Sequence, residues 1–283
     1  MSQPMSRPVS RIDKTFARLR ADGQTGLVTY VTAGDPDAER SALILQTLDQ
    51  AGADILEVGI PFSDPLADGP AIQRASERAL AAGTTLKSSL RLIETVRSTL
   101  SCPVVVFTYA NPVVAMGLES FMRRAADVGV DGILVLDLPI EEADTLRDAA
   151  GAVNIDPIFL LSPTTTEQRI RRAAELGRGF LYGISRLGVT GERDTIAEGA
   201  ADMVDRIRKV TSLPVAIGFG ISRPEHLVEV GQWADAAVVG SGLVNHIARV
   251  SDTDDMVGEV RKYVHWLKSG LLGQRAEVRA SEF

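Results

Sequence analysis

A regular alternation of short apolar strands with amphipathic helical stretches, a length of 283 residues, and a turn plus acidic residue recurring just before strands predict a (β/α)8 barrel, the TIM-barrel fold. An extra N-terminal helix and extra short helices in the βα loops are expected on it. The alternation argues for a parallel sheet, and the length matches eight strand–helix units. The punctuation is Gly52-Ala53-Asp54, Gly129-Val130-Asp131 and Ala234-Asp235, ahead of the second, fourth and eighth strands. Such regularity favours closure over the rival, a doubly wound open sheet. One domain over residues 1–283 is expected, with 1–9 and 271–283 as tails, because no linker or composition break divides the chain.

In chain order, Ser10 to Ala21 reads as a leading helix with Ile12, Phe16 and Leu19 on one side, placed to plug one end of the barrel. Gly26 to Thr32 is the first strand, and Asp35 or Asp37 can cap the helix that runs to about Gln50. Asp54 to Gly59 is the second strand. An extra helix follows at Ala71 to Ala82, and the principal one at Leu86 to Leu100. The remaining strands are expected at Val104–Tyr109, Gly132–Leu136, Asp156–Leu161, Gly179–Ile184, Pro214–Gly218 and Ala234–Val239. Their helices are expected at Leu118–Val128, Glu141–Ala149, Thr166–Leu176, Ile196–Val210, Pro224–Val230 and about Asp254–Leu267.

Composition excludes several functions. A net charge of -7 with no Lys/Arg cluster argues against nucleic acid. No run is long and apolar enough for a membrane helix, and residues Met1 to Ser10 contain no apolar signal core. The lone Cys102 forms no internal disulfide, so a cytoplasmic setting is expected. His226, His246 and His265 have no metal-ligand spacing, and no metal is expected.

The chemistry concentrates at Asp54 to Gln73. Glu57 interrupts the apolar run Ile55, Leu56, Val58, Ile60, where a buried charge is costly unless it has a partner or a task. Burial raises a carboxyl pKa towards neutrality, which suits a general acid/base. Asp68 follows in a loop set by Pro61, Pro65, Gly69 and Pro70, so two carboxyls on different backbone elements can share one pocket. The last two strands end in glycine clusters, Gly218-Phe-Gly-Ile-Ser222 and Gly240-Ser-Gly242. Backbone amides there, with a helix starting near Ser241, can cradle a phosphate. Arg186 to Asp194, with Gly188 and Gly191, reads as a lid. Asp64 and Asp137 read as loop-orienting residues, Thr164 to Thr166 as a helix cap, and Cys102 as packing.

The motifs Val58-Gly-Ile-Pro-Phe-Ser-Asp-Pro-Leu-Ala-Asp-Gly-Pro-Ala-Ile-Gln73, Phe107-Thr-Tyr-Ala-Asn-Pro112, Ser185-Arg-Leu-Gly-Val-Thr-Gly191 and Gly218-Phe-Gly-Ile-Ser222 occur in this order. Together they resemble the tryptophan synthase alpha subunit family, from about Leu27 to Val250. The resemblance implies a lyase that splits indole-3-glycerol phosphate into indole and glyceraldehyde 3-phosphate. It places the acid/base on Glu57, the aspartate facing the indole nitrogen on Asp68, the active-site tyrosine on Tyr182 and the lid threonine on Thr190. It places phosphate contacts on Gly191, Gly220, Gly240 and Ser241, with Phe219 beside the substrate. No cofactor is implied in this chain. A pyridoxal-phosphate beta subunit is implied as partner, in an alpha2beta2 heterotetramer, with contacts around Pro61, Phe62, Asn111 and Pro112. Two further readings stay open: a noncatalytic ligand-sensing subunit, and another phosphosugar isomerase or lyase on the same barrel.

Overall fold

The computed structural model describes residues 8–184, 199–218 and 220–281. Eight parallel strands follow one another around a closed barrel: β1 (Gly26–Thr32), β2 (Ile55–Gly59), β3 (Val104–Thr108), β4 (Gly132–Val135), β5 (Asp156–Leu161), β6 (Leu181–Ile184), β7 (Val215–Gly218) and β8 (Ala236–Val239). β8 pairs back onto β1, with Val28 opposite Val238, so the sheet has no edge and the open-sheet alternative is excluded. The helices are α1 (Arg11–Ala21), α2 (Ala38–Gln50), α3 (Pro70–Ala81), α4 (Leu86–Arg97), α5 (Ala110–Met116), α6 (Leu118–Asp127), α7 (Asp144–Ala152), α8 (Glu167–Leu176), α9 (Ala200–Arg208), α10 (Pro224–Gly231), α11 (Ser241–Val250) and α12 (Met256–Ser281).

Every residue of β1, β2, β3, β4, β7 and β8 is buried, because each strand has helices on one side and the barrel interior on the other. Alternate residues divide between two cores. Leu27, Val31, Leu56, Val58 and Val106 face the helices, while Val28, Tyr30, Ile55, Val105 and Phe107 fill the interior.

α1 closes the N-terminal end of the barrel, as its pattern suggested. Ser10 and Asp13 form a reciprocal capping box, with both bonds at 3.0 Å. Ile12, Phe16 and Leu19 are buried in the interior core, and Phe16 meets Phe180 at 5.7 Å between ring centroids. Burying such side chains stabilises by roughly 1.5–3 kcal/mol each. Gly132 leaves the space for Ile12, since a Cβ there would stand 2.9 Å from the Ile12 Cδ1.

The recurring aspartates lie at the same end, and each is a rung between neighbouring strands. Asp54 accepts the Leu27 N–H at 2.9 Å, Asp131 that of Val104 at 2.9 Å, and Asp235 that of Val215 at 2.7 Å. Each also meets arginine: Arg18 at 2.6 Å for Asp54, Arg97 at 3.6 Å for Asp131, and Arg208 for Asp235. This spacing therefore builds the floor of the barrel.

Several boundaries differ from those expected by a few residues, and four departures have a physical reason. Gly179, at φ +69°, cannot sit in a strand, so β6 starts at Leu181. The single helix expected over Glu141–Ala149 is a 3-10 turn, Ile140–Glu142, followed by α7. α5 was not expected, because Asn111-Pro112 reads as a turn, yet Pro112 falls in its first turn, where a missing N–H costs nothing. The final helix continues past Leu267 to Ser281: Gly270 reads as a stop, but helix-forming residues follow it and no proline does.

Candidate active site

The C-terminal ends of the strands gather the two carboxyls. Glu57 sits mid-β2, with Tyr30 of β1 and Val105 of β3 as its register partners, so its side chain points into the interior beside Tyr30. It is fully buried, and neither carboxyl oxygen has a hydrogen-bond partner among the described residues. Desolvation pushes its pKa up to about 8.

Asp68 is 4% exposed, in the loop between β2 and α3. Burial raises its pKa to about 6, and a hydrogen bond from Tyr109 at 3.0 Å opposes that rise. The two carboxyls thus have unlike environments. Glu57 has no polar support, while Asp68 has a donor that favours its ionised form.

Tyrosines wall the chamber. Tyr182 of β6 and Tyr30 are buried, and burial, with the nearby Glu57 and Asp68 carboxylates adding to it, holds both phenols protonated. Each ring lies over a strand-end glycine. A Cβ at Gly59 would stand 2.1 Å from the Tyr30 hydroxyl, and one at Gly218 equally close to that of Tyr182. Tyr30 also meets Phe107 edge-on at 5.3 Å. Tyr109 follows β3, accepts the Ala67 N–H at 3.2 Å and packs on Phe62 at 5.2 Å, thereby fixing the acidic loop.

Sequence reasoning left Tyr30 out of the site and gave Tyr109, at a strand's C-terminal end, no role in it. The period-2 alternation of β1 points Tyr30 inward and could have found it. The Tyr109–Asp68 bond spans 41 residues of chain, and no local pattern signals it.

The loop readings hold. Asp137 accepts the Ala110 N–H at 2.7 Å, Thr166 caps α8 by accepting from Arg169 at 3.4 Å, and Asp37 caps α2, while Asp35 takes Arg78 in a two-pronged ion pair at 2.7 and 2.8 Å. Asp64 accepts from the Ser63 hydroxyl at 2.6 Å. Buried Cys102 belongs to the outer core.

At the last two strands, Gly220 has φ +87°, the left-handed conformation that suits glycine. Gly240 precedes α11, and Ser241 is that helix's first residue, so the free N–H groups of its first turn open at the barrel's C-terminal end. Thr190, Gly191, Phe219 and the rest of the Arg186 to Asp194 segment lie outside the described residues. Among the described residues no three His, Cys, Asp or Glu side chains form a metal cluster, and no helix is long and apolar enough to cross a membrane.

The family model described as "Tryptophan synthase alpha chain" matches residues 16–271. A tryptophan synthase alpha chain of Arabidopsis thaliana is 42% identical over 92% of this chain and 95% of its own length. One of Phenylobacterium zucineum is 47% identical over 88% and 90%. Among solved structures, a Mycobacterium tuberculosis tryptophan synthase superposes with a TM-score of 0.85 at 34% identity, covering 93% of this chain and 98% of the other. The alpha subunit from Legionella pneumophila gives 0.84 at 33%, covering 93% and 99%. A barrel with this carboxyl pair, matched over nearly its whole length at these identities, belongs to the tryptophan synthase alpha chain family, lyase subunits that cleave indole-3-glycerol phosphate and pass indole to a beta subunit.

Proposed function

We propose that this chain cleaves indole-3-glycerol phosphate with Glu57 as the acid/base and Asp68 as the group facing the ring nitrogen. The observation that carries the assignment is Glu57 itself, wholly buried on β2 with a pKa near 8 and no partner for either oxygen among the described residues. A group left in that state is costly to the fold and available to a substrate.

The reaction is a retro-aldol step. Protonated Glu57 gives its proton to the ring carbon that bears the glycerol chain, and Asp68, ionised at neutral pH, stabilises the positive ring through its N–H. The resulting carboxylate then takes the proton of the adjacent side-chain hydroxyl. As that oxygen becomes the aldehyde, the carbon–carbon bond breaks, its electrons return to the ring, and Glu57 is protonated again. These proton transfers need no cofactor in this chain.

Gly220, Gly240 and Ser241 hold the phosphate at the start of α11, together with Gly191, and Phe219 and Tyr182 flank the ring, with Thr190 on the lid. Binding the phosphate away from the reacting bond orients the substrate, an effect worth several kcal/mol. The beta partner, carrying pyridoxal phosphate in a cytoplasmic alpha2beta2 assembly, docks over the same end of the barrel. The exposed Leu66 (88%) and Val114 (72%), near Pro61, Phe62, Asn111 and Pro112, support that placement.

The test is indole release from indole-3-glycerol phosphate by the purified chain, with and without a beta subunit. Slow release that rises with the partner is expected, with Glu57→Gln folded and nearly inactive. Release by Glu57→Gln at the parent rate removes Glu57 from the mechanism. A folded parent chain that releases no indole under either condition overturns the assignment in favour of a ligand-sensing subunit.

A further inference from the structure

A second cleft, of about 300 Å³, lies outside the barrel between the loop after β7, α11 and α12. One wall is aromatic. His246 stacks on Tyr263 with ring centroids 4.5 Å apart and 17° between planes, and Tyr263 meets Trp266 at 5.5 Å, which leaves Trp266 as the exposed end of the column at 46% exposure. Arg223, Arg249 and Asn245 also line the cleft. Among the described residues no acidic side chain lines the cleft, on a chain whose net charge is -7.

The wall is held in place before any ligand arrives. His246 donates from Nε2 to the Glu259 carbonyl at 3.1 Å, which leaves Nδ1 to accept from Arg249 at 2.8 Å. That tautomer is neutral, in keeping with burial lowering the His246 pKa, so the ring does not repel the guanidinium it orients. Tyr263 donates to the Ser222 carbonyl at 3.4 Å. It also sits so close to Gly242 that a Cβ there would be 2.8 Å from its hydroxyl.

We propose that this cleft binds a planar aromatic carboxylate, its ring against Trp266 and its carboxylate on Arg249. Charge selects the anion, the flat wall selects the ring, and a preset wall reduces the ordering cost of binding.

The probe is 2-naphthoate, titrated into the full chain by calorimetry, with 2-naphthol as the ring alone and acetate as the carboxylate alone. Saturable naphthoate binding is expected, weakened about tenfold or more in Arg249→Gln and in Trp266→Ala and unchanged in Tyr182→Phe, which alters only the barrel interior. Circular dichroism confirms that the variants are folded. No binding in the millimolar range overturns the proposal. Equal binding of 2-naphthol or acetate also overturns it, as does naphthoate affinity lost in Tyr182→Phe but kept in Trp266→Ala, which locates the probe in the barrel. None of these readings depends on indole release, so failure here and failure of the lyase assignment are separately visible.

Discussion

The Tyr109 hydroxyl donates to Asp68 Oδ2 at 3.0 Å, across 41 residues of chain, and in the same place accepts the Ala67 N–H at 3.2 Å. One phenol therefore both fixes the acidic loop and tunes its carboxyl. Burial drives the Asp68 pKa up to about 6, and the Tyr109 bond is what limits the rise. Tyr109→Phe is expected to move the acidic limb of the pH–rate profile to higher pH, because Asp68 then takes up its proton more readily. The rate at neutral pH should fall by several-fold, in line with about 1 kcal/mol for one such bond. A pH–rate profile of indole release that matches the parent's acid limb would separate Tyr109 from Asp68.

Glu57 links activity to stability with a definite sign. Its folded pKa, about 8, lies above its ordinary value of 4.5, so between those two pH values the folded state keeps a proton that the unfolded state has lost. Stability therefore falls as pH rises through that window, by an amount on the order of several kcal/mol, and levels off above it. Glu57→Gln removes this dependence. Denaturant titrations of parent and variant at pH 5 and at pH 8, both inside the window or at its edges, should show the variant gaining relative to the parent at the higher pH. A stability difference independent of pH would mean that Glu57 ionises in the folded chain as it does in the unfolded one.

Local patterns made the strands, the α1 plug and Glu57 legible, because an amphipathic helix and a charge in an apolar run are visible within a few residues. The aspartate punctuation was legible as a pattern but not as a structure. Asp54 reaches Leu27 and Asp131 reaches Val104, each 27 residues back along the chain, and only the register of adjacent strands makes them neighbours. Tyr30 beside Glu57 is the same case, since each faces inward by its own alternation but their adjacency belongs to the sheet. The motif resemblance supplied the substrate, which two carboxyls and a phosphate cradle could not name.

The barrel floor makes its own prediction. Asp131 accepts the Val104 N–H at 2.9 Å and lies 3.6 Å from the nearly buried Arg97. Asp131→Ala leaves that N–H without its acceptor and that guanidinium without its counter-ion. The expected loss is roughly 3 kcal/mol, since removing one partner of a buried pair strands the other. The floor is at the far end from Glu57 and Asp68, so kcat per folded molecule should not change. Urea titrations and initial rates on the same samples check both halves, and a large drop in kcat without loss of stability would tie Asp131 to the chemistry instead.

Thr29 offers the opposite outcome, a substitution that stabilises. It sits in β1 between Leu27 and Val31, opposite Leu56 and Val239, all of the outer core, and is fully buried. Its hydroxyl has no hydrogen-bond partner among the described residues. An unpartnered hydroxyl in such surroundings costs about 1–3 kcal/mol, and valine has nearly the same shape without that cost. Thr29→Val should raise stability by about 1 kcal/mol and Tm by roughly 2–4 °C for a chain of this size. Thr29→Ser is the control: it keeps the hydroxyl and loses the methyl, so it should destabilise. If valine instead lowers Tm, the hydroxyl has a partner in solution, and an ordered water bridging it to the helix layer becomes the explanation to test.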